Sequence, residues 1–267
     1  MNEKKRPGAM LRAVFLTALL LVPGAMLRAV FLTTLLLVPG ATPAQRVHTL
    51  DPGREAAFAG AGLVLGGTAL LLPTDTAGLW ARYSGIDRSA LPAFDRTAAF
   101  RWSRPAQRAS DILFVSALVV SAVGPALAHA DQGPGVPIAL VGESLLLSAG
   151  LTGLVKGLAR RPRPLVFNPE VPMRERRGRD AFHSFWSGHT ANTAALTVSA
   201  AMLVDRARVD PAVRTATWAG AVAVPVLMGW LRVRAGKHFP TDVLAGCLAG
   251  AVVGWAVPYF HRPENLP

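Results

Sequence analysis

RVRAGKHFPTD, Arg232 to Asp242, stands between two long apolar runs, Ala212 to Leu231 and Thr241 to Phe260. Each run approaches the ~20 residues a helix needs to cross a bilayer, so the basic stretch reads as the short link between two spans. Upstream, KGLARRPRP (Lys156 to Pro164) closes the apolar run Val136 to Gly157, and Ser187-Gly188-His189 opens the run Thr190 to Val204. A further run, Asp111 to Ala130, is joined to the Val136 helix by the turn-rich HADQGPG. Two spans separate Ser187 from Arg232, so all three polar stretches emerge on one face. The chain is expected to be all-α, a membrane-embedded bundle of five to six core helices.

The residue types in these stretches suit phosphoryl transfer without a metal. A phosphoryl group in flight carries negative charge on three oxygens and needs fixed cations, aimed N–H groups, a nucleophile and a proton donor. Lys156, Arg163 and Arg232 are candidate phosphate-binding cations, and arginine forks suit bidentate contact with phosphate. Ser187 and Gly188 lie at a positive helix N-terminus, an anion seat. His238 has Asp242 four residues on, so a carboxylate can hold one ring nitrogen and leave the other for attack. His189 has no carboxylate at such a spacing and suits a general acid beside the anion seat. No Asp, Glu, His or Cys cluster shows ligand spacing along the chain, and neither a metal nor another cofactor is expected.

Taken together, Lys156, Arg163 and Pro164, then Ser187, Gly188 and His189, then Arg232, His238 and Asp242 match the order K-x6-R-P, P-S-G-H, S-R-x5-H-x3-D. The sequence resembles the type 2 phosphatidic acid phosphatase (PAP2) superfamily, whose fold is shared with vanadium haloperoxidases. It departs at Trp186, where proline is usual, and at Leu231, where serine is usual. The resemblance implies a PAP2-like fold and hydrolysis of a lipid phosphomonoester or diphosphate through a phosphohistidine, with His238, His189 and Asp242 catalytic. It also admits a vanadate-dependent haloperoxidase. A non-catalytic scaffold binding lipid headgroups is the alternative from a different class.

Composition agrees with a membrane setting: 51% of the 267 residues are hydrophobic and 16% charged. The net charge of +12 sits in loops flanking apolar runs, which points to anionic headgroups and phosphate substrates and not to nucleic acid. Cys247 can form no internal disulfide.

The first residues hold a tandem repeat, PGAMLRAVFLTALLLV (Pro7 to Val22) and PGAMLRAVFLTTLLLV (Pro23 to Val38). Residues 1–44 read as a duplicated signal peptide or membrane anchor. Residues 45–109 form a second region, a glycine-rich helix and a polar stretch on the membrane surface, and 110–267 the catalytic bundle. The apolar segment 56–73 is the weakest span candidate and is expected to pack on the bundle without crossing. That puts the site on the outer, periplasmic face of a bacterial-type inner membrane. Glu143 inside a span draws notice as a buried ionisable group but is left out of the site. His48, His129, His183 and His261 read as ordinary loop or segment-end histidines.

Overall fold

The computed structural model describes residues 48–130 and 133–263; the duplicated leader lies outside them. Among these residues there is no strand. The long helices are α1 (Pro52–Leu71), α2 (Thr76–Tyr83), α3 (Arg104–Ala128), α4 (Gly135–Ala159), α5 (Gly188–Asp205), α6 (Pro211–Arg234) and α7 (Pro240–Phe260).

Local chemistry sets their ends. Asp51 caps α1 through Gly53 and Arg54 N–H groups, and Asp210 caps α6 through Ala212. α3 starts seven residues before the expected Asp111, because the Ser103 hydroxyl accepts from Ala106 and Pro105 occupies a first-turn position. Its first turn is polar, which hides the start from a hydropathy reading. α4 stops at Arg160, whose left-handed φ of 46° turns the chain before Pro162 can disrupt the helix.

α5 is the central helix and touches α3, α4, α6 and α7. Its contact with α7 runs along a glycine row, since Gly246, Gly250 and Gly254 lie against the backbone of Ser187, Ala191 and Ala195. Gly246 and Gly250 form a small-xxx-small pair of the kind that lets membrane helices approach closely, and Gly254 extends it. A Cβ at Gly250 would overlap the Ala191 carbonyl, so alanine there would push α7 off the helix that carries Ser187 and His189.

α3, α4, α6 and α7 are long and apolar enough to cross a membrane, and the protein is a multi-pass membrane protein. α1 reaches that standard only when joined to α2, from which it is bent by 76°. It packs along α4 with Gly62 beside Leu146, Gly150 beside Gly62 and Gly157 beside Leu72, so the two run parallel. The segment expected to lie on the bundle without crossing therefore runs its full depth. Arg54 meets the Phe260 carbonyl at one end, and Arg179 donates to the Leu72 carbonyl, 3.3 Å, at the other. Glycines on both faces of the contact replace the apolar bulk that makes a span visible in sequence. α1, α3, α4, α5, α6 and α7 then alternate in direction, and both ends of the described chain lie opposite the three motifs.

Ala98 and Ala99 are fully buried and form a second core with Leu165, Val166, Phe167, Val171, Phe182 and Phe239, flanked by Trp80 and Trp102. That core roofs the end of the bundle where the motifs meet.

Candidate active site

Arg160 ends α4 in a turn that brings Arg161 and Arg163 back across the bundle end. Arg161 bridges two buried carboxylates, Asp95 at 2.7 Å and Asp242 at 2.5 Å. Asp95 comes from the roof and also accepts from the Thr241 N–H, 3.1 Å, and hydroxyl, 2.7 Å. The roof is thereby tied to the first turn of α7.

Asp242 has a second duty in that turn. Its Oδ2 caps α7 through the Phe239 N–H, 2.9 Å, and accepts the Ser184 hydroxyl, 2.5 Å. With Arg161 on Oδ1, this fully buried carboxylate is charge-balanced and rigidly placed. His238 Nδ1 stands 3.6 Å from Oδ2, just beyond hydrogen-bond range, with no other partner among the described residues. Its Nε2 faces the Arg163 guanidinium at 3.5 Å. Burial, then the charges of Arg163, Lys156 and Arg232, hold the His238 pKa well below the ordinary 6.5, so the imidazole is neutral at pH 7.

The expected cations converge around it. Arg163 is 4% exposed and donates to the Lys237 carbonyl at 3.2 Å and the Asp180 carbonyl at 2.7 Å; its outer nitrogen meets the Asp180 carboxylate at 2.6 Å. Arg232 is buried, donates to Ser110 at 3.0 Å and keeps an unpartnered Nε. The Lys156 ammonium lies beside Gly188, 3.7 Å from where a Cβ would stand, and Thr152 Cγ2 is closer still at 3.1 Å. Ser187 starts α5 with its hydroxyl 2.9 Å from that of Thr190 and its N–H donated to the Asp242 carbonyl, 2.9 Å. The anion seat is thus left to the N–H groups that follow Ser187.

His189 has a partner that spacing along the chain does not show. It has a carboxylate partner, Asp111 on α3, whose Oδ1 is 3.1 Å from Nε2. The same oxygen is 3.7 Å from Arg232. With side chains 33% and 50% exposed, His189 and Asp111 form an open side of the cluster. Trp186, at the departure from the family pattern, donates to Thr152 on α4, 2.8 Å, and so anchors the turn that carries Ser187. His183 bonds the Arg179 carbonyl and approaches Thr74, consistent with an ordinary loop histidine.

All eight expected residues therefore meet at one bundle end. Sequence spacing missed Asp111, Asp95, Arg161, Ser184, Ser110 and Asp180. Arg161 alone carried a local signal, since it lies inside KGLARRPRP.

Residues 137–266 match the family model described as the PAP2 superfamily. They form a PAP2 superfamily domain. That domain contains every expected site residue, whereas Asp95 and Asp111 reach it from outside the matched range. Two relatives are lipid A 1-phosphatases, from Rhizobium johnstonii, 32% identical over 110 residues, and from Rhizobium etli, 32% identical over 114 residues. These alignments cover 40% and 42% of this chain and 41% and 44% of the relatives, so the chain spans about two fifths of the length of the curated relatives it matches. No solved structure matches the chain.

Proposed function

We propose that the protein is a membrane phosphatase that hydrolyses a lipid phosphomonoester or diphosphate through a phosphohistidine. The observation that carries this reading is the placement of His238, with Nδ1 toward Asp242 and Nε2 toward the guanidinium of Arg163.

Lys156, Arg163 and Arg232 hold the phosphoryl oxygens, together with the first N–H groups of α5. His238 Nε2 attacks phosphorus, the bond from phosphorus to the lipid oxygen breaks, and His189 gives that oxygen a proton. Asp111 engages Nε2 of His189, which leaves Nδ1 for the proton transfer. His189, now neutral, takes a proton from water as the water attacks phosphorus. The P–N bond breaks and inorganic phosphate leaves. Three fixed cations supply the charge compensation, so turnover needs no divalent ion.

The substrate meets the site from its open His189 side, and the two relatives' names make a lipid A 1-phosphate the first substrate to test. The site is assigned to the outer face of a bacterial-type inner membrane: with α1 running the depth of the bundle, this orientation puts residue 48 and the α5–α6 link, with Arg206 and Arg208, on the inner side, as the positive-inside bias favours. The leader, residues 1–44, is assigned to targeting or anchoring, the 45–109 region to α1 and the roof, and 110–267 to the catalytic bundle. Phosphate release from a panel of lipid phosphates, with EDTA present, tests the activity. Release from at least one lipid in EDTA is expected, and activity that requires an added divalent ion would sink the metal-free mechanism.

A further inference from the structure

At the end of the bundle opposite the site, Glu55 of α1, Glu143 of α4 and His261, the residue after α7, turn their polar atoms to one point. The His261 Nδ1 is 2.7 Å from the Val257 carbonyl, so it carries the proton and donates there. Nε2 then presents a lone pair to Glu55 Oε1 at 3.0 Å and Glu143 Oε2 at 3.5 Å. Glu143 is 3% exposed, and neither of its oxygens has a hydrogen-bond partner among the described residues. One ligand atom from each of the three residues lies within 4.8 Å of the others. A bare imidazole nitrogen facing two carboxylates repels them unless a cation or a proton lies between.

We propose that Glu55, Glu143 and His261 bind a divalent transition-metal ion that staples α1 to α4 and α7. Two donors about 2.1 Å from one ion stand about 3.0 to 3.5 Å apart at octahedral to tetrahedral angles, the separations His261 makes with both carboxylates. The Nδ1 bond to a backbone carbonyl is the orienting contact that metal-bound histidines use. Two carboxylates and an imidazole suit Zn²⁺, Mn²⁺ or Fe²⁺. Glu55, with a side chain 14% exposed, leaves a path for the ion from the membrane face. His261 also accepts the Thr49 N–H through its carbonyl, 3.0 Å, so the ion would fix the segment that leads into α1. Sequence spacing could not show this trio, because it comes from three separate parts of the chain. Its ion has a structural role, since the phosphoryl site lies at the other end.

The test uses the full chain without a polyhistidine tag, purified in detergent, loaded with ZnCl₂ and desalted. About one Zn²⁺ per chain is expected by mass spectrometry in the wild type, and less than about a tenth in Glu143→Gln, Glu55→Gln and His261→Gln. EDTA should lower the wild-type unfolding midpoint by about 5 °C or more, reversibly with Zn²⁺, and leave the variants unmoved. Glu55→Gln, at the outer edge, keeps the test open if Glu143→Gln fails to fold. Phosphate release measured well below the midpoint should change less than about twofold on metal removal, which separates this staple from a catalytic metal. A wild type that retains no Zn²⁺ after loading, or variants that retain as much as the wild type, would overturn the proposal.

Discussion

Asp111 on α3 reaches His189 on α5 across the open side of the site, 3.1 Å from Nε2, and the same oxygen lies 3.7 Å from Arg232. One carboxylate thus touches the proposed proton donor and stands near a proposed phosphate-binding cation, and removing its charge should affect the leaving group first. Asp111→Asn should lower kcat on an alkyl lipid phosphate by about 10-fold, a fraction of the 10²–10⁴ a general acid supplies. On nitrophenyl phosphate, whose leaving group needs no proton, the loss should be smaller. Equal losses on both substrates would show that Asp111 does not act through His189.

Asp180 holds the outer nitrogen of Arg163 at 2.6 Å from the exposed rim of the site. A phosphate must compete with that carboxylate for the guanidinium. Asp180→Asn should therefore tighten competitive inhibition by inorganic phosphate several-fold, by about 3- to 10-fold for a lost charge-assisted competitor, with kcat little changed. Weaker inhibition would mean that Asp180 positions Arg163 instead of competing for it.

His48 is buried at the far end, and burial together with His129, Arg206 and Arg262 lowers its pKa from 6.5 to about 3. The unfolded chain binds a proton there near pH 6.5 while the folded chain stays neutral, so stability falls as pH drops. His238, depressed for similar reasons, acts in the same direction. Between pH 7.5 and 5.5 His48 alone accounts for a loss of about 1.4 kcal/mol. Thermal unfolding at both pH values should show a smaller drop for His48→Gln than for the wild type. Equal drops would remove His48 from the account.

Orientation is tested by fusions. Ala90 lies on the roof over the site, and Asp210 caps α6 at the opposite end. Alkaline phosphatase joined after Ala90 should be active and after Asp210 inactive. The reverse pair would place the site in the cytoplasm.

The helices from α3 onward were legible because each is a long apolar run closed by proline, glycine or charge. The meeting of the eight expected residues at one bundle end was legible because two of the polar links between those runs hold them in three short, ordered stretches. α1 was the weakest span candidate in the sequence because its glycines dilute the hydropathy while letting it lie close along α4. Asp111 escaped notice because its partner His189 is 78 positions away in sequence. The pairing of Arg161 with Asp95 joins residues 66 positions apart, and that of His261 with Glu55 joins residues 206 apart. Periodicity reports which face of a helix is apolar; it says nothing of which neighbour that face will meet.

The most direct test of the phosphohistidine is to trap it. Full-length protein mixed for seconds with a ³²P-labelled lipid phosphate and quenched in alkali should retain label that is stable in base and lost in acid. Mass spectrometry should place it on His238, and His238→Ala should carry none and lose activity by about 10³-fold or more. Label that survives in His238→Ala, or turnover that continues in that variant, would contradict His238 as the nucleophile.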